Sequence, residues 1–502
     1  MSILDRLKTA AEDPEQKKPE APAATAAPAP PAAPAPPAGS APAAAPSLLK
    51  PREPQAAPPG KDGKEAPAGD YDPLSLGEPR SVEDLGIRPD FLMPHVLKTV
   101  AILDTFTVNE AAEQLCLPVK ITNDLLEEWR NLKCMEVASA AGYASTTRRY
   151  VMTSEGRNRA REYMRLSGYM GAIPVPMTTY VKMVQKQTVL GVQVNIESLR
   201  KALSHLVVSD RLFKPLGPAV NSGRTIFLYG PPGNGKTAIA VALSSLLGGA
   251  IAIPKAIEVD GFVVRLYDPS VHRLDEGPQP EDKRWLRCKR PVVVVGGELT
   301  LQTMELQMDP HSGTYEAPPH VKSNNGIFIL DDFGRQLVRP RDLLNRWIVP
   351  LENRVDFLTL HTGNKVQMPF DQLVIFSTNI NPKDLLDEAF MRRLCHKLFI
   401  GPLDREGFRE NFERSCKGKG IEFREDVYND LIKEVYEARK RPFTACHPRD
   451  LLDHLIDLAK FEEKTPEMTK DLLLRACESY FVGFEEGDAA FATSAGVSDL
   501  LK

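Results

Sequence analysis

The stretch "TIFLYGPPGNGKTAIAVAL", residues 225–243, constrains this 502-residue chain more than any other. A β-branched and aromatic run ending at Tyr229 reads as a strand, Gly230, Pro231, Pro232, Gly233, Asn234 and Gly235 as a loop, and Lys236 and Thr237 as the opening of a helix. Glycines at such positions let consecutive backbone N–H groups turn toward phosphate oxygens, and the helix N-terminus adds its dipole. Lys236 would then reach the β- and γ-phosphates, while the Thr237 hydroxyl would ligate Mg²⁺. The strand before the loop and the helix after it supply the context that the motif requires.

About a hundred residues later, "GIFILDDFGR" runs four apolar residues straight into two carboxylates, Asp331 and Asp332. "IFIL" reads as a strand buried on both faces of a parallel sheet, so Asp331 should emerge at its carboxyl end, where doubly wound sheets bind ligands. There Asp331 can hold Mg²⁺ through water and Asp332 can polarise an attacking water. "LVIFSTNINP" is another buried strand ending in Asn379, a neutral amide suited to orient that water. "DEAFMRRL" supplies Arg392 and Arg393, for which salt bridges to Asp387 or Glu388 are the structural alternative, and "HPRDLLDHLIDLAKF" places Arg449 at the start of a helix.

In order and spacing these five stretches resemble the Walker A, Walker B, sensor 1, arginine finger and sensor 2 motifs of the AAA+ ATPase family, over roughly residues 195–485. The resemblance implies an α/β P-loop core with a parallel sheet and a C-terminal helical lid, with ATP and Mg²⁺ as cofactors. It also implies that Arg392 or Arg393 acts on the nucleotide of a neighbouring subunit in a homo-oligomeric ring, usually a hexamer. "PLENRVDFLTLHTGNKVQMPFDQLVIFSTN" alternates around "HTGNK" as a β-hairpin just before the Asn379 strand. That hairpin resembles the pre-sensor-1 group, which includes MoxR-like ATPases that remodel client protein complexes.

Two departures from the family pattern matter. The insert "SVHRLDEGPQPEDKRWLRCKRPVVVVGGELTLQTMELQMDPHSGTYEAPPH" has no aromatic-hydrophobic-glycine pore loop, which counts against a threading unfoldase. Asp332 stands where the family mostly carries Glu, and a side chain one methylene shorter leaves the water out of reach unless the strand shifts. General-base assistance is worth ~10²–10⁴-fold, so slow hydrolysis is expected. His311, His320 and His361 have no metal-ligand spacing and are expected as solvated loop histidines, leaving Mg²⁺ as the metal.

The rest of the chain is organised around this core. Of 43 prolines, 18 fall within residues 1–80, where little can be buried, so residues 1–84 should be a disordered Ala/Pro-rich tether. Residues 85–168 read as helices, a hairpin and a closing helix capped by Thr153 or Ser154, and resemble a winged helix-turn-helix. A connector (169–220) with a helix at Ile196–Val207 leads to the ATPase core (221–402), the lid (403–485) and a tail (486–502). Residues 91–165 carry ten basic against nine acidic residues, with Arg148, Arg149, Arg157, Arg159 and Arg161 as the basic cluster. That balance is poor for a phosphate surface and favours a protein partner.

The net charge of −4 recruits neither nucleic acid nor an anionic membrane. "AIAVALSSLLGGAIAI" is too short and too rich in Ser and Gly to span a bilayer, and seven scattered cysteines without a signal peptide suit a cytoplasm. Three functions are compatible with these features. The first is an ATP-driven remodeller of an unidentified client complex. The second is a DNA-associated regulator or loader, and the third a nucleotide-gated scaffold that does not hydrolyse.

Overall fold

The computed structural model describes residues 76–140, 148–385, 391–392 and 394–481. The tether to residue 75, the wing turn at 141–147, Arg393 with its possible partners Asp387 and Glu388, and the tail from 482 lie outside the described residues.

The N-terminal module runs α1 (Pro89–Val100), β1 (Thr105–Thr107), α2 (Val108–Leu115), α3 (Val119–Asn131), β2 (Met135–Ala140), β3 (Arg148–Met152) and α4 (Ser154–Leu166). Thr107 opens α2 with a reciprocal cap: its hydroxyl accepts from the Glu110 N–H, and its own N–H donates to Glu110. Such caps stabilise a helix start by about 1 kcal/mol. Ile121, Leu125, Leu126 and Trp129 turn inward from α3, and Thr153 caps α4 through the Gly156 N–H at 3.0 Å. Strands pair antiparallel in the order β1-β3-β2. Ahead of α1, the Leu76 carbonyl accepts from the Asp282 N–H, and Leu85 is buried.

Hydrogen bonds that tie this module to the connector and the core include the Ile173 N–H on Leu115 O (2.9 Å), the Gly171 N–H on Thr99 Oγ1 (3.3 Å), the Gly168 N–H on Ser312 O (2.6 Å) and Lys255 Nζ on Cys116 Sγ (3.1 Å). The connector holds β4 (Val175–Pro176), α5 (Met177–Lys186), α6 (Ile196–Ala202) and α7 (Asp210–Asn221). α6 is shorter than its apolar spacing suggests, because a turn at Leu203–Leu206 closes it.

The core contains β5 (Ile226–Tyr229), α8 (Lys236–Ala242), β6 (Ala250–Pro254), β7 (Ala256–Val259), β8 (Phe262–Arg265), β9 (Trp285–Lys289), β10 (Val292–Val295), β11 (Gln307–Asp309), β12 (Thr314–Glu316), α9 (Pro319–Lys322), β13 (Ile327–Leu330), α10 (Pro340–Asn353), β14 (Val355–Thr359), β15 (Lys365–Pro369), β16 (Leu373–Thr378), α11 (Pro382–Leu385) and β17 (His396–Phe399). Five strands form one parallel sheet in the order β10-β13-β16-β5-β17. Ile327 and Ile329 point to one face, against α7 and α8, while Phe328 and Leu330 point to the other, against Trp347 and Leu343 of α10. Every residue of β13 and β16 is therefore buried, as a two-sided parallel sheet requires.

The apolar run 238–253 divides into α8 and β6. From the long insert, which matched no recognised pattern, β10 joins the parallel sheet, β9 pairs with β6, and β11 and β12 extend a second sheet of order β11-β12-β8-β7-β4. The hairpin expected around "HTGNK" is β14–β15; its Leu358, Val366 and Met368 pack on this second sheet. The lid comprises α12 (Arg405–Lys419), α13 (Glu425–Leu431), a π turn at Ile432–Glu437, α14 (His447–Phe461) and α15 (Lys470–Tyr480), closed around Phe408, Phe412, Tyr428 and Leu455. Among the described residues, no helix is long and apolar enough to cross a membrane.

Candidate nucleotide-binding site

The loop between β5 and α8 sits at the carboxyl edge of the parallel sheet and is gripped on two sides. At Gly230 (φ 142°) an added Cβ would lie 2.2 Å from the Ile400 carbonyl oxygen, a backbone atom that cannot step aside. At Gly233 (φ 77°) it would lie 2.6 Å from Cys446 Sγ of the lid. The lid also bonds this loop directly: the Cys446 N–H donates to Gly233 O at 2.8 Å, and the Ala445 N–H to Asn234 Oδ1 at 3.3 Å. Pro231 is steadied by Asn234 Nδ2, 3.2 Å from its carbonyl, and Pro232 and Gly235 complete the turn into α8.

Lys236 is 6% exposed, and its ammonium donates to Gly230 O (3.0 Å), Pro231 O (2.9 Å) and Asn379 Oδ1 (2.5 Å). Burial pushes its pKa down to about 8, against the pull of Asp332 and Asp331. Thr237 Oγ1 reaches both Asp331 oxygens at 2.9 and 2.8 Å. Asn379 turns its amide the other way and donates to Asp332 Oδ1 at 2.9 Å. Lys236, Asn379 and Asp332 thus form one chain of side-chain bonds, with Thr237 and Asp331 paired in the same cluster.

Asp332 has φ 48°, the left-handed region, which costs a non-glycine residue on the order of 1–3 kcal/mol and is best tolerated by Asp and Asn. Its neighbours hold it there. Gln336 Nε2 donates to Asp331 O (2.9 Å) and its Oε1 accepts from the Gly334 N–H (2.8 Å). The Phe333 N–H donates to Ser377 O (2.7 Å), and Thr378 Oγ1 donates to Phe333 O (2.6 Å). Sequence reasoning missed Gln336 and Thr378, as it missed Ala445 and Cys446; the only signal was proximity to the motifs.

The two arginine motifs are not in this cluster. Arg392 is exposed and lines an open cavity of about 690 Å³ with Arg354, at the end of α10, and with Arg224, Thr225 and Gln372, which precede β5 and β16. That is the amino edge of the sheet, about 13 Å of strand from the loop. Arg449 stands in the first turn of α14, as expected, but its guanidinium is 69% exposed and paired with Asp450 at 2.8 Å.

A second cleft, of about 860 Å³, runs along α8 from Thr237 past Val241 to Ser245, with Lys201, His205 and Leu206 opposite. At the root of the β14–β15 hairpin, His320 is buried rather than solvated, its Nε2 2.8 Å from Asp356 Oδ2. Burial raises the Asp356 pKa, but the bonds from His320 and Arg346 outweigh it and hold the carboxyl below its usual value. Among the described residues no group of His, Cys, Asp and Glu side chains forms a metal-ligand cluster.

Comparison with known proteins adds little. A family model described as a domain of unknown function (DUF8689) matches residues 404–479, the lid. No curated protein matches the chain. Among solved structures it is similar to NtrX from Brucella abortus (17% identity, TM-score 0.34, covering 59% of this chain and 56% of that one) and to NtrX in complex with ADP (16%, TM-score 0.33, 63% and 64%). It is also similar to the Thermotoga maritima RuvB Holliday junction branch migration motor (16%, TM-score 0.31, 58% and 72%). The chain thus spans less than two thirds of the NtrX chains.

Proposed function

We propose that this chain is an AAA+ ATPase that binds Mg-ATP at Gly230–Thr237 and hydrolyses it slowly to ADP and phosphate. The observation that carries the reading is the side-chain cluster itself: residues 94 and 143 positions apart in sequence meet as Thr237–Asp331 and Lys236–Asn379. In this reading the loop's N–H groups and Lys236 take the β- and γ-phosphates, and the Lys236 ammonium exchanges its carbonyl partners for phosphate oxygens. The cleft along α8 is of the size that takes a nucleoside, which lies within about 300–1,000 Å³.

The Thr237 hydroxyl and Asp331 carboxylate are hard oxygen donors at hydrogen-bond separation, which fits Mg²⁺. Thr237 and Asp331 would hold the ion, whose charge would offset that of the phosphate oxygens. Asp332 accepts the proton of the attacking water, and Asn379 orients that water. Arg392 or Arg393 reaches the nucleotide of the next subunit, since Arg392 lies on the edge of the sheet remote from its own loop. A ring follows, of hexamer type, with Arg449 turning in from the lid.

The N-terminal module we assign as a winged helix that docks a protein. Arg148 (3.1 Å) and Arg130 (2.5 Å) both pair with Glu127, Arg157 pairs with Asp104 (3.1 Å) and Arg159 with Glu155 (2.7 Å). Such surface pairs are individually weak, but Arg148, Arg157 and Arg159 of the basic cluster each meet a carboxylate, which leaves less free positive charge for a DNA backbone. With the hairpin packed on the insert sheet, this supports a MoxR-like remodeller of a protein complex over a DNA-associated loader. Equilibrium binding and steady-state turnover of Mg-ATP by the full chain and by Lys236→Ala test the reading. The wild type should bind and turn over, and the variant should do neither; a wild type that binds without turnover would instead make the chain a nucleotide-gated scaffold.

A further inference from the structure

β13 does not simply end at Asp331. Its register with β16 is Ile327↔Leu373 through Leu330↔Phe376, and the Leu373 N–H donates to Gly326 O. Carried forward in steps of two, that ladder would have the Asp332 N–H donate to Ser377 O. Instead the Phe333 N–H does so, at 2.7 Å. On the β10 side the ladder is regular up to the Asp331 N–H on Val295 O, at 2.8 Å. One residue, Asp332, has therefore been inserted into the β13–β16 pairing as a bulge, with the left-handed φ of 48° that such an insertion takes.

Bulges of this kind re-aim a side chain next to a site. Here the re-aimed group is the carboxylate that a glutamate would otherwise carry one methylene further. Its Oδ1 meets Asn379 Nδ2 at 2.9 Å, and Asn379 Oδ1 meets Lys236 Nζ at 2.5 Å. The bulge is fixed from both sides by groups that touch neither loop nor carboxylate. Thr378 Oγ1, fully buried, donates to Phe333 O just after it, and Gln336 spans it from Asp331 O to the Gly334 N–H. The Phe333 ring is buried against Phe376 at 4.9 Å, so residue 333 cannot slide back into register.

Resting on the hydrolytic reading of the site, we infer that this bulge compensates for the short side chain, and that Thr378 and Gln336 are positioning residues that hold Asp332 at the place of attack. On this backbone aspartate is the fitting residue. A glutamate would tolerate the left-handed conformation less well and would carry its carboxylate past Asn379.

The experiment is steady-state turnover and Mg-ATP affinity for wild type, Thr378→Val, Thr378→Ser, Gln336→Met and Asp332→Glu, each checked for native circular dichroism. Thr378→Val and Gln336→Met should lower kcat roughly 10–100-fold through misplacement of the carboxylate, with Mg-ATP affinity nearly unchanged. Thr378→Ser, which keeps the hydroxyl, should recover most of the loss, and Asp332→Glu should be slower than wild type. Two independent positioning variants guard against one that fails to fold. Wild-type kcat in both Thr378→Val and Gln336→Met, or an Asp332→Glu faster than wild type, overturns the positioning claim while leaving the ATPase reading standing. A wild type that binds Mg-ATP without turning it over overturns the hydrolytic reading itself, and this inference with it.

Discussion

The two edges of the parallel sheet make opposite use of charge. At the carboxyl edge, Lys236, Thr237, Asp331, Asp332 and Asn379 are already bonded to one another, and Lys236 is buried. At the amino edge Arg392 stands exposed beside a cavity, and on the lid Arg449 pairs with its sequence neighbour Asp450. The first set comes from strand ends that a fully buried sheet fixes in place; Arg392 comes from a short helical segment ahead of β17 and Arg449 from a separate helical layer. On the proposed reading one subunit assembles the phosphate and water half of the site, and the charge that answers the transition state would be delivered by a neighbour and by lid movement.

That contrast can be broken in several ways. The largest effect should follow loss of the delivered charge: Arg392→Ala with Arg393→Ala should cut turnover by about 10³–10⁵-fold with Mg-ATP binding retained, read by turnover alongside a binding titration. Asp332→Asn should bind nucleotide and slow by about 10²–10⁴-fold, and unchanged turnover would remove Asp332 as the base.

A smaller effect should appear with pH. Burial lowers the Lys236 pKa to about 8, and phosphate oxygens would raise it again, so Mg-ATP binding should take up protons near and above that pH. Affinity should then weaken as pH rises through about 8, approaching tenfold per unit, and Lys236→Arg should flatten the profile. The smallest effect is expected at the lid: the Arg449–Asp450 pair is exposed, worth about 0–1 kcal/mol, so Asp450→Asn should change turnover less than about fivefold.

The same contrast marks what the sequence made legible. Strand-end motifs were readable because four apolar residues before Asp331, or β-branched runs before Gly230 and Asn379, specify a buried parallel strand and so fix where the next residue emerges. The β14–β15 hairpin and the inward face of α3 were readable from spacing in the same way. The second sheet was not, because its strands are short and its edge strand β4 lies far ahead of its partner β7 in the chain. His320 gave no sign of burial, since its partner Asp356 lies 36 positions on. The bulge at Asp332 was hidden too: the end of the "IFIL" strand was readable, but nothing in "DDF" marks an extra residue, which shows in the bond from Phe333 to Ser377.

The most direct test of a site shared between subunits is to mix two inactive variants. Asp332→Asn lacks the base but keeps both arginines; Arg392→Ala with Arg393→Ala lacks the arginines but keeps Asp332. In mixed rings some sites would combine an intact Asp332 with intact arginines from the neighbour. A site shared between subunits should give turnover in the mixture well above that of either variant alone, rising with total protein concentration. A mixture no more active than its components, beside an active wild type, would contradict it.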